Sequence, residues 1–111
     1  MQGELRVDDL PGEALAAARA FHPDWFERAE AELGQVEALA IVLPAASYDH
    51  RDWRRALARD MARAHAPKRV NVVGGSDSAR VAATLAYLAG APGVTGQYLE
   101  TDGQERSDPA E

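Results

Sequence analysis

Apolar and polar residues alternate along the chain in blocks that predict strands separated by helices. The run Ala38–Leu43 (ALAIVL) is continuously apolar and contains β-branched residues, which is typical of a strand buried on both faces. Residues 70–73 predict a second buried strand. Shorter strands are predicted over residues 4–7 and 97–101, one near each end of the folded part of the chain.

Helical periodicity fills the three intervals between these strands. Residues 12–33 predict a helix that Pro23 breaks or kinks and that Gly34 caps. A second helix, capped by Asp49 or Asp52, is expected to run to about His65. Ser76 or Asp77 is expected to cap a third helix. The predicted buried stripes are Trp53, Leu57, Met61 and Ala64 in the second helix, and Val81, Leu85 and Leu88 in the third.

Strands joined by helices of this length indicate right-handed crossovers and a parallel sheet with helices on both faces. We therefore predict a small three-layer α/β/α domain with a mostly parallel sheet of about four strands. The chain has 111 residues, room for one domain, which we assign to residues 1–103. Residues 104–111 are polar and acidic, and a disordered tail is predicted there.

Composition narrows the classes of function. Ala supplies much of the apolar content, so the core is expected to be thin and to favour oligomerisation or docking onto a partner. The chain contains no cysteine, no signal pattern at its start and no apolar run near 18 residues, which predicts a cytoplasmic protein. A net charge of −6 argues against binding to nucleic acid or to an acidic membrane.

A glycine turn after the strand at 70–73 is the best small-ligand candidate. Gly74, Gly75, Ser76 and Asp77 connect the carboxyl end of a predicted parallel strand to a helix N-terminus, where such sheets bind nucleotides and other anions. Asp77 would oppose a phosphate and would itself satisfy the helix cap. These four residues are the candidate cofactor-binding residues.

Other polar residues have simpler interpretations. The three histidines are not spaced as metal ligands, so we expect surface or capping roles and no metal. Asp8 and Asp9 are expected to end the first strand and cap the next helix, with a cation site as the alternative. The arginines at positions 51, 55, 59 and 63, joined by Arg54, predict a solvated face paired with carboxylates, with anion binding as the alternative.

Four segments carry a resemblance to a known family: AELGQVEALAIVLPAAS, DWRRALARDM, RVNVVGG and VAATLAYLAGAPGVTGQYLETDG. Together they resemble the short-chain dehydrogenase/reductase family, and the similarity is strongest over residues 69–103. The last segment contains the family's Thr-Gly-x pair (Thr95, Gly96) and its closing Asp-Gly (Asp102, Gly103). The resemblance implies a truncated, Rossmann-like member of the NAD(P)-binding superfamily.

The catalytic features of that family are missing from the sequence. Lys68 is the only lysine, and Ala64 stands four residues before it, so the family's Tyr-x-x-x-Lys pair is absent. The glycine-rich dinucleotide loop is absent too. The family's Asn of the proton relay corresponds to Asp60, unless the same helix corresponds to the family's catalytic helix instead. We therefore lean against an enzyme and expect no cofactor, with NAD(P) as the alternative.

The family's dimer interface is the part that the sequence preserves best. In the family resembled, the closing helix and strand pair across a two-fold axis. The corresponding residues here are Val81, Leu85, Leu88, Val94, Thr95, Tyr98 and Leu99. We therefore expect a non-catalytic homodimer or an accessory subunit of a full-length reductase. The alternatives are a degenerate domain that binds a nucleotide or acyl ligand, and an NAD(P)-dependent oxidoreductase completed by another chain.

Overall fold

The computed structural model describes residues 1–101, which form a four-stranded sheet in the order β1-β2-β3-β4. All neighbouring strands are parallel. The strands are β1 (Gln2–Arg6), β2 (Ala38–Leu43), β3 (Arg69–Gly74) and β4 (Tyr98–Glu100). The predicted small α/β domain with a parallel sheet is confirmed. The predicted tail lies outside the described residues.

Helices occupy all three connections between the strands. The first connection contains α1 (Ala14–Phe21), a π-helical turn (His22–Phe26) and α2 (Glu27–Leu33). The second contains a 3₁₀ turn (Tyr48–His50) and α3 (Arg51–Ala64), and the third contains α4 (Ser78–Ala89). None of the helices within residues 1–101 combines the length and apolarity that spanning a membrane requires.

Pro23 widens the first helical segment instead of breaking it. Proline has no N–H to donate to the carbonyl of Arg19 and its ring crowds that carbonyl, so a regular α-helical turn is unfavourable here. The chain forms the π-helical turn His22–Phe26 instead, and α2 continues from it without a gap. The helix then ends at Gly34, whose N–H donates to the carbonyls of Glu30 and Ala31, as predicted.

Two separate apolar clusters cover the two faces of the sheet. On the first face, Leu39, Ile41 and Val72 pack against α1, α2 and α3. On the second face, Ala40, Val42 and Val73 pack against α4 alone. The alternation follows from strand geometry, because successive side chains point to opposite faces. Val81, Leu85 and Leu88 form the buried stripe of α4, as the periodicity predicts.

The last crossover has the opposite hand to the first two. Each connection moves one strand further in the same direction across the sheet, yet the first two lie on the first face and α4 lies on the second. Crossovers between parallel strands are right-handed in about 98% of cases. The prediction that all crossovers are right-handed is therefore wrong. When every connection moves in the same direction across the sheet, crossovers of one hand would place all helices on the same face.

Hydrogen bonds from β3 hold the loop that precedes β4. The amide of Asn71 is buried; its Nδ2 donates to the carbonyl of Val94, and its Oδ1 accepts from the N–H of Gln97, each at 3.0 Å. The N–H of Val70 donates to Thr95 Oγ1, and Val70 O accepts from the N–H of Gly96. Gly96 has a φ of +74°, which favours glycine at this turn.

The start and the buried stripe of α3 differ from the sequence predictions. Neither Asp49 nor Asp52 caps the helix, which follows the 3₁₀ turn directly and has no side-chain cap. Trp53 is half-buried and Ala64 is exposed. The buried residues are Arg54, Leu57, Ala58 and Met61.

Candidate functional site at the carboxyl edge of the sheet

The candidate loop, Gly74 to Asp77, lies where the carboxyl ends of the parallel strands β2 and β3 meet side by side. We call this end of the sheet its carboxyl edge. Leu43 of β2 is in register with Gly74 of β3. The N–H of Gly75 donates to the carbonyl of Leu43 at 3.1 Å, and Ser76 Oγ accepts from the N–H of Ala45 at 3.3 Å. The loop is therefore fastened to the end of β2 by its own backbone and side-chain groups.

Asp77 occupies the N-terminus of α4. Its Oδ1 accepts from the N–H groups of Ala79 and Arg80 at 3.0 and 3.1 Å, and its φ and ψ are extended, as an N-cap requires. A phosphate at a helix N-terminus would use these N–H groups. The carboxylate therefore takes the donors and supplies the negative charge that an anionic ligand would bring. Asp77, one of the two predicted capping residues, is the cap.

Gly74 lies under a pair of large side chains from other elements. A Cβ at this position would lie 2.5 Å from Tyr98 Oη and 3.0 Å from Arg54 Nη1. Close approach thus favours glycine here, because a methyl group would force the Tyr98 hydroxyl and the Arg54 guanidinium to move. Gly74 O also accepts from the N–H of Thr101 at 2.9 Å, which ties β4 to the same point.

Arg54 fills the space above this glycine. It is 1% exposed, and its Nη1 donates to the carbonyl of Pro44 at 2.9 Å and to Tyr98 Oη at 3.1 Å. The prediction of a solvated arginine face is therefore wrong for Arg54. It stands one turn before Leu57 and Ala58, at the spacing that places it on the buried side of α3. Arg55, Arg59 and Arg63 are exposed, as predicted.

A second arginine closes the outer side of this cluster. Arg51 Nη2 and Glu100 Oε1 are 2.7 Å apart, and their side chains are 20% and 13% exposed. The Arg51 guanidinium also lies 4.5 Å from the centre of the Tyr48 ring. This ion pair joins the start of α3 to the end of β4, which stabilises the edge at which β4 ends.

The environment of Tyr98 disfavours its ionised form. Burial raises the pKa of the Tyr98 hydroxyl above its ordinary value of 10.0, and the positive charge of Arg54 opposes that rise without cancelling it. The hydroxyl accepts from Arg54 in its neutral form. An activated tyrosine of the kind that exchanges protons near neutral pH would need the opposite shift.

The structure places the remaining candidate residues apart from one another. Among residues 1–101, no three His, Asp or Glu side chains are grouped closely enough to hold a metal ion. His50 is buried and bonds to Gly12 O, whereas His65 lies near Glu30 on the first face. Asp8 and Asp9 are exposed in the loop after β1, and α1 is capped by Glu13 instead of by either of them.

The predicted interface residues are distributed between a buried layer and a surface. Val81, Leu85 and Leu88 face the sheet, so a partner on α4 would meet the opposite side of the helix. Val94 and Leu99 pack at the margin of the same cluster, and Tyr98 packs against the first face. Thr95 is exposed. The interface itself stays a prediction.

The only lysine lies far from the carboxyl edge. Lys68 precedes β3 at the amino edge of the sheet, and its Nζ donates to the carbonyl of Leu33 at the end of α2. Ligands of parallel α/β sheets bind outside the carboxyl ends of the strands. Lys68 therefore binds the end of a helix at the amino ends of the strands, whereas the candidate loop lies at their carboxyl ends.

Fold and edge together define a small parallel α/β domain of the Rossmann-like class. A sequence model of the SDR-like family, described as short chain dehydrogenase-like protein, matches residues 5–101. The chain belongs to this family. The resemblance found in the sequence is thereby confirmed. No curated protein and no solved structure matches the chain significantly.

Proposed function

We propose that the chain is a non-catalytic SDR-like domain that acts in an assembly, as a homodimer or as an accessory subunit of a full-length short-chain reductase. One observation carries the proposal. The carboxyl edge beside β3 is occupied by the chain's own side chains, whereas the outer side of α4 and the outer edge of β4 have no neighbour among residues 1–101.

The occupied edge is the argument against catalysis by this chain alone. Asp77 takes the N–H groups that a phosphate would use, and Arg54 and Tyr98 fill the space over Gly74. Lys68 lies at the other edge of the sheet. The capped helix N-terminus and the filled space over Gly74 argue against a dinucleotide at this loop, and the proposal includes no cofactor.

The uncovered element is the argument for assembly. The outer side of α4 presents small side chains and one large aromatic residue: Ala79, Ala82, Ala83, Ala86 and Tyr87 are exposed. Tyr87 is 56% exposed. Small residues allow a second helix to approach closely. Within residues 1–101, β4 is an edge strand whose outer side pairs with no other strand. The absence of disulfide chemistry fits a cytoplasmic assembly.

The test measures oligomeric state in matched variants. Ala83→Glu places a charge on the outer side of α4, and Ala31→Glu places the same charge on the exposed side of α2. Light scattering after size exclusion should give a dimer, or a complex with a dinucleotide-binding reductase captured from the native host, for the wild type and Ala31→Glu. Ala83→Glu should abolish either assembly.

A protein that is monomeric alone and captures no reductase contradicts the proposal. Calorimetry with NAD(H), NADP(H) and coenzyme A esters addresses ligand binding at the loop. Binding by the wild type that Asp77→Ala strengthens, because the N–H groups of Ala79 and Arg80 are then free for a phosphate, would favour a binding domain instead. An absorbance change at the nicotinamide band that needs both this chain and its partner would assign it a catalytic role.

A further inference from the structure

Apart from the loop Gly74 to Asp77, the carboxyl edge contains a cleft between the ends of β1 and β2. The loop from Asp8 to Gly12 forms one wall, and the segment from Pro44 to Ser47 forms the other, with His50 and Arg54 at the inner end. Its volume is about 350 Å³. That is near the lower end of the range for small-molecule sites, so it suits a compact ligand.

The guanidinium of Arg54 is a buried positive charge that no carboxylate of residues 1–101 neutralises. Both of its hydrogen bonds come from Nη1 and go to uncharged oxygens, Pro44 O and Tyr98 Oη. Its Nε is buried and has no hydrogen-bond partner within the described part of the chain. Within residues 1–101, no carboxylate forms an ion pair with it. Burying an unpaired charge is costly, and the usual remedy is an anion with hydrogen-bonding oxygens.

The walls of the cleft are held in place by His50. Its Nδ1 accepts from Trp53 Nε1 at 3.2 Å, so the proton lies on Nε2, which donates to the carbonyl of Gly12 at 2.8 Å. The ring thereby joins α3 to the loop that forms the first wall. Both nitrogens are engaged within the chain, which makes His50 a positioning residue and leaves Arg54 as the cationic group at the inner end.

The cleft also carries negative charge near its opening. Asp8 and Asp9 line it and are exposed. Two carboxylates repel a doubly charged phosphate more than a singly charged carboxylate, and they accept hydrogen bonds from hydroxyl or ammonium groups. The cleft therefore has a cation at its inner end and hydrogen-bond acceptors toward solvent. This arrangement suits a ligand that carries an anionic group at one end and hydrogen-bond donors at the other.

We propose that this cleft binds a small monocarboxylate that bears hydroxyl or amino groups. The ligand's carboxylate pairs with the guanidinium of Arg54, which lines the cleft, because charge-assisted hydrogen bonds between these two groups are strong. The donor groups of the ligand face Asp8 and Asp9. The site is distinct from the loop Gly74 to Asp77, and it requires neither a dimer nor a reductase.

The test follows binding to the intact chain with defined probes. Glycerate and alanine are the hydroxyl- and amino-bearing carboxylates, glycerol is the uncharged control, and inorganic phosphate is the competing oxyanion. Glycerate or alanine should shift the Arg54 Nε–H resonance in NMR spectra of the wild type, and glycerol should not. Calorimetry should show binding weakened at least about tenfold in Arg54→Met and unchanged in Arg55→Met, an exposed arginine on the same helix.

The proposal is overturned if neither carboxylate shifts the Arg54 resonance at tens of millimolar, or if glycerol or phosphate shifts it equally. Equal binding by Arg54→Met and the wild type overturns it as well. If Arg54→Met fails to fold, the wild-type resonance alone decides. Because these measurements use the isolated chain, their outcome is independent of whether the chain assembles with a partner.

Discussion

Two buried polar side chains, Asn71 and Arg54, sit in contrasting surroundings. Asn71 is 2% exposed, and both ends of its amide bond to the loop before β4. Arg54 is 1% exposed, and its buried Nε has no hydrogen-bond partner among residues 1–101. Burial of a polar group stabilises a fold when its hydrogen bonds are complete. Asn71 therefore stabilises the fold through a complete set of hydrogen bonds. Arg54 keeps a buried hydrogen-bond donor that could still bind an acceptor.

The largest effect is expected where the hydrogen bonds are complete. Asn71→Ala removes the donor to Val94 O and the acceptor of the Gln97 N–H, so both partly buried backbone groups lose this partner. We expect the free energy of unfolding to fall by about 3 kcal/mol, measured by denaturant titration. Gln97→Ala, at an exposed side chain, should change it far less. If Asn71→Ala lowers the free energy of unfolding no more than this control does, the hydrogen bonds of Asn71 do not stabilise the fold as we expect.

Gly74→Ala tests how tightly the Arg54 cluster is packed. The new methyl group would meet the Tyr98 hydroxyl and Arg54 Nη1, so we expect a loss of about 2 kcal/mol. Gly93→Ala, where no atom lies within 4 Å of the added group, serves as the control and should be nearly neutral. In a Tyr98→Phe background the loss should shrink, because the closest contact is gone. Additive losses would show that the two residues do not meet.

Arg54→Met should change stability less than Asn71→Ala, although both residues are fully buried. Methionine forfeits two hydrogen bonds, but it also removes a buried charge that lacks a counter-charge, and these terms oppose each other. We expect a change within about 1 kcal/mol of the wild type. A loss as large as that of Asn71→Ala would mean that Arg54 is held by interactions as complete as those of the amide.

The smallest effect concerns the ionisation of Tyr98. Because its pKa is raised in the folded chain, the unfolded chain loses this proton first as the pH rises. The contribution to stability is therefore complete below about pH 10 and is lost above it. Denaturant titrations across this range should show a steeper decline for the wild type than for Tyr98→Phe. Equal declines would contradict the raised pKa.

The elements that sequence patterns predicted well are those with one dominant signal. Ala38–Leu43 is apolar throughout, so its burial on both faces and its limits follow from the sequence. Val81, Leu85 and Leu88 repeat at helical spacing in a helix whose other residues are mostly small, and Asp77 precedes the helix as its cap. In each case local pattern and tertiary environment require the same residue types.

The carboxyl edge was harder to predict, because its chemistry depends on tertiary contacts. In the sequence, Arg54 is close to arginines that are exposed in the structure. Residue type alone therefore predicts that Arg54 is exposed as well. The spacing 54, 57, 58, 61 was the available signal, since it places Arg54 in line with Leu57, Ala58 and Met61. The π-helical turn at Pro23 and the hand of the last crossover have no comparable signal, because each depends on how distant elements pack.

The lone position of α4 on the second face has a consequence for local unfolding. The cluster beneath α4 contains six buried residues, against thirteen beneath the other helices, and it shares only the sheet with them. Smaller cooperative units open at lower free energy than the whole molecule. In native-state hydrogen exchange, the amides of α4 should therefore exchange faster than those of α3. A reversed order would show that α4 opens less readily than α3 despite its smaller cluster.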